Sequence, residues 1–399
     1  MNPPIPLEEA QRRLLEQVDA LPAEPIAVEN ALGRYTAAPV LAERTQPSAD
    51  LSAMDGYAMA EGDLAGPWRI IGESAAGHPF ASPVAPGEAI RISTGAMMPP
   101  GTGAVLLQEN ATRDGDRLSL NGEGDPSPRH IRRAGFDFRT GDPLLPAGIW
   151  IGPAQIALAI AGGRADIAVH ALPSVAVLDS GDELAADPTA CESHQIPASN
   201  GAMLAAMAAP YASGVSRIGP VPDKLDAMID ALRQAGDANV IVTSGGASVG
   251  DHDLVRPALE AWGATIDFWR VALKPGKPIL VARRGNQWIV GLPGNPVSSY
   301  VTAFLFLLPL LRKLGGAADP MPHAVRLALG AELPATGSRL ELIRAIHAGE
   351  TIAPVAEQDS SAMLALASSN ALIRREIHSP AASAGDMVEA YLLGNGGMA

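Results

Sequence analysis

Cysteine is almost absent: the 399-residue chain holds one, Cys191. A disulfide framework within the chain is excluded, and a reducing compartment is expected. Aromatic residues make up only 4%, so the cores must rest on Ala, Leu, Val and Ile. Blocks of Lys and Arg are missing, and the net charge is −14. A nucleic-acid partner, which needs a segregated basic face, is not expected. The longest apolar run, Val301 to Leu311, is about half the ~20 residues of a membrane helix. The segment from Met1 to Pro6 has neither the basic stretch nor the apolar centre of a secretory leader. A cytoplasmic protein without a membrane partner is the expectation. Lysine is scarce as well: of 29 basic residues only Lys224, Lys274, Lys277 and Lys313 are Lys.

What is present reads as a folded, multidomain chain. Hydrophobic residues are 47% and charged residues 18%, which excludes bulk disorder, and the length calls for several domains. Residues 7–21 place Leu7, Ala10, Leu14, Leu15 and Val18 on one helical face, and Pro22 ends the run. From about 25 to 150, short β-like runs alternate with Gly/Pro turns, at 69–71, 104–107 and 117–120. A helix is expected at Pro153 to Gly162. From 173 to 315 strands alternate with helices. Strand candidates lie at 175–178, 215–218, 240–243, 265–271, 279–282 and 288–290. Helix candidates lie at 199–212, 223–234, 253–262 and 297–314. This alternation predicts a largely parallel sheet with its ligand site beyond the strands' carboxyl ends. A Gly/Pro-rich linker at 315–322 leads to a final β region with one short helix near 362–368.

The chemistry concentrates in the strand-end loops. Ser244-Gly-Gly-Ala-Ser-Val-Gly250 follows a strand and precedes a helix, where backbone N–H groups and hydroxyls can cradle an oxyanion. It lacks the Gly-Lys-Ser/Thr ending of a P-loop and the spaced glycines of a dinucleotide site; alone it is equally a tight connection. Two scarce lysines stand three apart in Leu273-Lys-Pro-Gly-Lys-Pro278, which suggests a use for a compact ammonium, although a solvated turn would look the same. Asp182 and Glu183 end a second loop and suit a hard cation such as Mg²⁺ bridging to phosphate; Asp223 and Asp253 are further candidates. A helix cap or a turn residue is the competing reading for each, and the same cap logic covers Ser199 and Asn200. Asp55-Gly56 reads as a hairpin turn. Cys191 and His194 offer two of the four ligands that zinc requires.

Seven segments in order resemble the molybdopterin molybdenumtransferase family, typified by MoeA and the E domain of gephyrin. They are Ser52-Ala-Met-Asp-Gly-Tyr-Ala58, Ser93-Thr-Gly-Ala96, His130-Ile-Arg-Arg-Ala-Gly135 with Asp137, and Ser180-Gly-Asp-Glu-Leu184. Thr243-Ser-Gly-Gly-Ala-Ser-Val-Gly250 with Asp253, Leu273-Lys-Pro-Gly-Lys-Pro278 and Gly291-Leu-Pro-Gly-Asn-Pro296 complete the series. Gln358, Ser360 and the stretch from Ser361 to Asn370 are similar to the family's C-terminal pattern.

The resemblance implies an α/β multidomain fold. Residues 1–45 and 140–172 would form a discontinuous linking domain, 46–139 a β-rich lobe, 173–316 a parallel-sheet molybdopterin-binding domain and 320–399 a β-barrel-like end. It implies a homodimer in which the lobe faces an α/β domain, and a molybdopterin adenylyltransferase as a further partner. The implied reaction takes adenylylated molybdopterin and molybdate, cleaves the phosphoanhydride with Mg²⁺, and releases AMP and molybdenum cofactor. Carried over position by position, Asp55, Glu183, Asp223 and Asp253 would be catalytic, with Glu183 and Asp253 on the metal. Thr94, Ser244, Gly245, Gly246, Ser248, Lys274, Lys277, Pro293 and Pro296 would bind substrate. The chain departs from the family at Phe136, Ala198 and Lys224, where carboxylates are common. A non-catalytic binding or scaffold protein on the same fold is the alternative. A nucleotide hydrolase or deamidase sharing only the α/β domain is disfavoured by the two N-terminal motifs.

Overall fold

The computed structural model describes residues 4–245, 254–276 and 278–394. Its central sheet has six strands, in the order Gly214–Val221, Ser174–Ser180, Val240–Ser244, Gln287–Leu292, Pro278–Arg284 and Thr265–Arg270. The first four are mutually parallel. Pro278–Arg284 runs antiparallel to both of its neighbours, so the sheet is largely parallel, as expected, with this one strand reversed. The cause is local: Arg284 and Gln287 flank a two-residue turn at Gly285, whose φ is +60°. A turn that short can only return the chain antiparallel.

Both sheet faces are covered, so the central strands read as continuous apolar runs rather than alternating ones. Val175, Val177, Val240 and Val242 face one core with the helices Leu7–Leu15, Ser199–Ala208 and the segment 296–314. Ala176, Leu178, Ile241 and Ile289 face the other, with Leu225–Gln234 and Val255–Ala261. The resemblance groups the first helix with the linking domain; its Leu7, Ala10 and Leu14 pack in this α/β core.

Pro296–Leu314 is a 19-residue helix long and apolar enough to cross a membrane by length and composition, and most of it is buried inside the protein. The apolar run seen in the sequence is thus the middle of a longer core helix. Its turn Ala303–Leu307 is a π-helix, a widened turn that leaves carbonyls open to outside donors. Gln11 Nε2 donates to Leu305 O there at 2.9 Å.

Three smaller units surround this sheet. Ala23–Ala27 pairs antiparallel with Asp166–His170, and Val40–Leu41 with Pro143–Leu145; Val28, Ile151 and Ile167 pack between them. A second six-stranded sheet spans 56–120. Its strand Gly56–Ala60 is buried throughout and pairs with Glu88–Ile92 and Thr102–Leu107. Asp55-Gly56 is therefore not a hairpin turn: the preceding strand Leu51–Ser52 pairs with Ile131–Arg132 instead. Glycine is required because a Cβ at Gly56 would stand 2.0 Å from Leu106 O.

The C-terminal region is a closed barrel. Leu340–Ala348, Thr351–Pro354, Val325–Leu329, Met387–Leu392 and Ala371–Arg375 pair in a ring that returns to Leu340–Ala348. The short strand Leu273–Lys274 from the α/β region adds to Leu340–Glu341 in parallel.

Candidate active site

Three strand-end loops converge at the carboxyl edge of the α/β sheet. The strand Ser174–Ser180 runs into Gly181, Val240–Ser244 into Gly245, and Gln287–Leu292 into Pro293 and Gly294. Gly245 N–H donates to Leu292 O at 3.2 Å. Its φ is +94°, and a Cβ there would meet Ser180 O at 2.9 Å. The backbones meet this closely only because glycine lacks a side chain.

Opposite these loops stands the barrel, and a cavity of about 1070 Å³ separates the two. Glu183, Asp223, Gly245, Lys274 and Pro293 line it, all expected from the sequence. Ser244 is buried at 3% exposure and, like Pro296, the first residue of its helix, does not belong to the lining. Gly246, Ser248, Asp253 and Lys277 lie outside the described residues.

The capping reading fails for Asp223, Ser199 and Asn200, whose helices carry no side-chain cap. The helix Leu225–Gln234 begins after Lys224 without a side-chain cap. The Asp223 carboxylate instead accepts from the Asp182 amide at 3.4 Å, and the Asp223 amide donates to Asp182 Oδ1 at 3.1 Å. Asn200 does not cap its helix either: its Nδ2 donates to Gly294 O at 2.6 Å and so fixes a cavity loop.

The barrel contributes residues that the sequence reading gave no role. Arg344 is 1% exposed and lines the cavity. Its Nη1 and Nη2 donate to Asp359 O at 2.9 Å and Glu357 O at 3.0 Å, which fixes the loop 357–360. Burial pulls its pKa down, against the pull of Glu357 and Asp359. A signal for it existed in the alternation of Leu340, Leu342 and Arg344, which puts a guanidinium on an inward strand face. Arg339 and Glu341 also line the cavity, and Lys274 Nζ stands 3.1 Å from Glu341 Oε1.

Asp55 and Thr94 sit apart from this cavity, on the lobe. The Thr94 amide donates to Asp55 Oδ1 at 2.6 Å. That bond, with the Thr94 hydroxyl, holds the Asp55 carboxyl below its usual range. Both residues are exposed.

Among the described residues, no group of three or more His, Cys, Asp or Glu side chains could hold a metal ion. The cavity carboxylates Glu183 and Asp223 are both exposed. Carboxylate oxygens are donors of the type that a hard cation takes.

The comparisons with known proteins follow this geometry. Residues 5–163 match the family described as MoeA N-terminal region (domain I and II). Residues 176–313 match the probable molybdopterin binding domain, and 326–393 the MoeA C-terminal region (domain IV). A Haemophilus influenzae protein named molybdopterin molybdenumtransferase is 35% identical over 314 residues, 78% of each chain. The chain belongs to the molybdopterin molybdenumtransferase family. A Staphylococcus aureus relative of that name is 30% identical over 401 residues, covering 98% of this chain and 96% of its own. The Pyrococcus horikoshii molybdopterin biosynthesis moeA protein shares the fold, with a TM-score of 0.84 over 98% of this chain and 100% of its own at 24% identity. By membership in the molybdopterin molybdenumtransferase family, the protein is a transferase that functions in molybdenum cofactor biosynthesis.

The positions that the resemblance marks as departures fall at definable places. Ala198 is the N-cap of the helix Ser199–Ala208 and offers no side-chain acceptor. The carboxylate at this helix end is Asp179, 4% exposed, whose Oδ2 would lie 1.9 Å from a Cβ at Gly201. Burial pushes the Asp179 carboxyl above its usual range, against Arg217 and the Gly201 amide. Phe136 is 74% exposed on the lobe.

Proposed function

We propose that this transferase inserts molybdate into adenylylated molybdopterin, cleaving the phosphoanhydride and releasing AMP and molybdenum cofactor. The observation that carries the reading is the cavity at the carboxyl edge of the α/β sheet. Glycine-lined loops meet cations from two structural units there, Lys274 from the α/β region and Arg339 and Arg344 from the barrel. A phosphoanhydride and an oxyanion both need donors and cations fixed where charge develops. The names of the relatives support the same substrate class.

In this reading the loops at Gly181, Gly245 and Gly294 approach the substrate closely, and Lys274 with Lys277 balances phosphate or molybdate charge. Glu183 and Asp253 would hold Mg²⁺, which supplies Lewis-acid stabilisation of the phosphate oxygens when bound. Asp223 orders the Asp182–Glu183 loop through the paired Asp182 bonds. Asp55 and Thr94 would complete the site from a second subunit, which makes the functional unit a homodimer. The four-part division of the chain given above and an adenylyltransferase partner that supplies the adenylylated pterin belong to the same proposal, as does a cytoplasmic location.

The scaffold alternative draws support from Phe136, Ala198 and Lys224. Incubation of the purified protein with adenylylated molybdopterin, Mg²⁺ and molybdate separates the two. The enzyme releases AMP in a molybdate-dependent manner; a scaffold binds the pterin and leaves the anhydride intact.

A further inference from the structure

We propose that Glu341 is the built-in counter-ion of Lys274 and thereby sets how tightly the cavity holds an anion. The inference rests on reading the cavity as an anion site. Lys274 does not ride on a free turn. Its strand leaves the α/β sheet and pairs in parallel with the first residues of the barrel, Lys274 opposite Glu341 in register. Leu340 N–H donates to Ala272 O at 3.0 Å, and Arg339 Nη1 to Leu273 O at 3.5 Å. The barrel therefore fixes the lysine backbone by direct pairing, and Lys274, Arg339 and Glu341 stand together on the cavity lining.

The side chains differ in exposure: Glu341 at 20% is packed, whereas Lys274 at 54% stands in the open space. One of the three ammonium donors reaches Glu341 and leaves two for a ligand. A carboxylate beside an anion site weakens binding through its own field. In return, the short ion pair holds a long, flexible side chain at one place on the wall. Arg339, two residues earlier, lines the same cavity, and Arg375 stands opposite Glu341 in register on the neighbouring barrel strand; Glu332 and Asp359 are carboxylates elsewhere on the lining. Removing the Glu341 charge takes from Lys274 its carboxylate partner and makes the lining more positive by one charge. Glu341 is thus a positioning residue that trades affinity for placement and for release of an anionic product.

The test compares full-length wild type with Glu341→Gln, Glu341→Asp, Lys274→Ala and the Lys274→Ala/Glu341→Gln double variant. Titration calorimetry with inorganic molybdate and with AMP reads affinity at low and high salt, and steady-state AMP release reads KM against kcat. Glu341→Gln should bind these anions about three- to tenfold tighter than wild type, the scale of one partly screened charge a few ångströms away. The gain should shrink at high salt, KM should fall together with kcat, and Glu341→Asp should restore wild-type behaviour. In the Lys274→Ala background the same Gln substitution should change affinity less. Equal or weaker anion binding by a folded Glu341→Gln variant overturns the proposal. So does an equal gain in both backgrounds. Wild type that binds neither anion overturns the reading of the cavity itself, a result distinct from either.

Discussion

Asn295 Nδ2 donates to Ser360 Oγ at 2.8 Å, and two residues later Val297 N–H donates to Ser360 O at 3.1 Å. This one serine ties the Gly-Asn-Pro loop of the α/β sheet to the barrel, so the two cavity walls are held by direct bonds rather than by a linker.

Asn295→Ala removes the side-chain half of that clasp and keeps the backbone half. One neutral hydrogen bond at an exposed site contributes about 0.5–1.5 kcal/mol. Thermal stability should therefore drop only slightly, while KM for the pterin substrate rises several-fold because the loop loses its fixed position. Calorimetric melts beside AMP-release kinetics check both halves, and a large loss of stability with unchanged KM would speak against this role.

Glu183→Gln should preserve the fold and reduce molybdate-dependent AMP release at least about tenfold, with a raised Mg²⁺ requirement, since hard cations prefer anionic oxygen. The substitution is nearly isosteric, and Glu183 is exposed. Turnover and Mg²⁺ dependence at the wild-type level would remove Glu183 from the metal shell.

Asp179 gives a stability prediction with a definite sign. Burial holds its folded-state pKa above the ordinary carboxylate value of 3.8. Between those two values the folded state binds more protons than the unfolded one, so this group's contribution to stability falls as pH rises through the window. Above the folded pKa the penalty is complete. Asp179→Asn should therefore be more stable than wild type at pH 7, with the advantage vanishing near pH 3. Thermal melts of both proteins across that range provide the check; a variant less stable at pH 7 than at pH 3, relative to wild type, would reverse the sign.

Subunit mixing tests the homodimer. Asp55→Ala and Glu183→Gln damage different walls of the proposed site. If the lobe completes a partner's cavity, unfolding and refolding an equimolar mixture should regain about a quarter of wild-type activity, the share of intact sites in randomly paired dimers. Activity that stays at the level of the separate variants would place both residues in a site built by one chain.

Much of this arrangement was legible in the sequence because it depends on local signals. The apolar runs at 175–178 and 240–243 became buried parallel strands, and Gly245 marked the point where a loop must approach Ser180. Other parts had no local signature. The reversal of Pro278–Arg284 depended on a two-residue turn at Gly285. The Asp55-Gly56 pair mimicked a hairpin, although glycine was needed to clear Leu106 O across the sheet. Glu341 and Arg339 looked like ordinary charged strand residues. Their place beside Lys274 follows from a parallel pairing between segments 67 residues apart, which no window along the chain can reveal.

The central claim is that this chain performs metal insertion, and one stoichiometry tests it most directly. A single turnover with excess protein, adenylylated molybdopterin, Mg²⁺ and isotopically labelled molybdate can be quenched and the pterin extracted. The account predicts one molybdenum retained on the pterin dithiolene for each AMP released, and no AMP without molybdate. AMP released without molybdate, or released with it while the extracted pterin carries no molybdenum, would contradict the account.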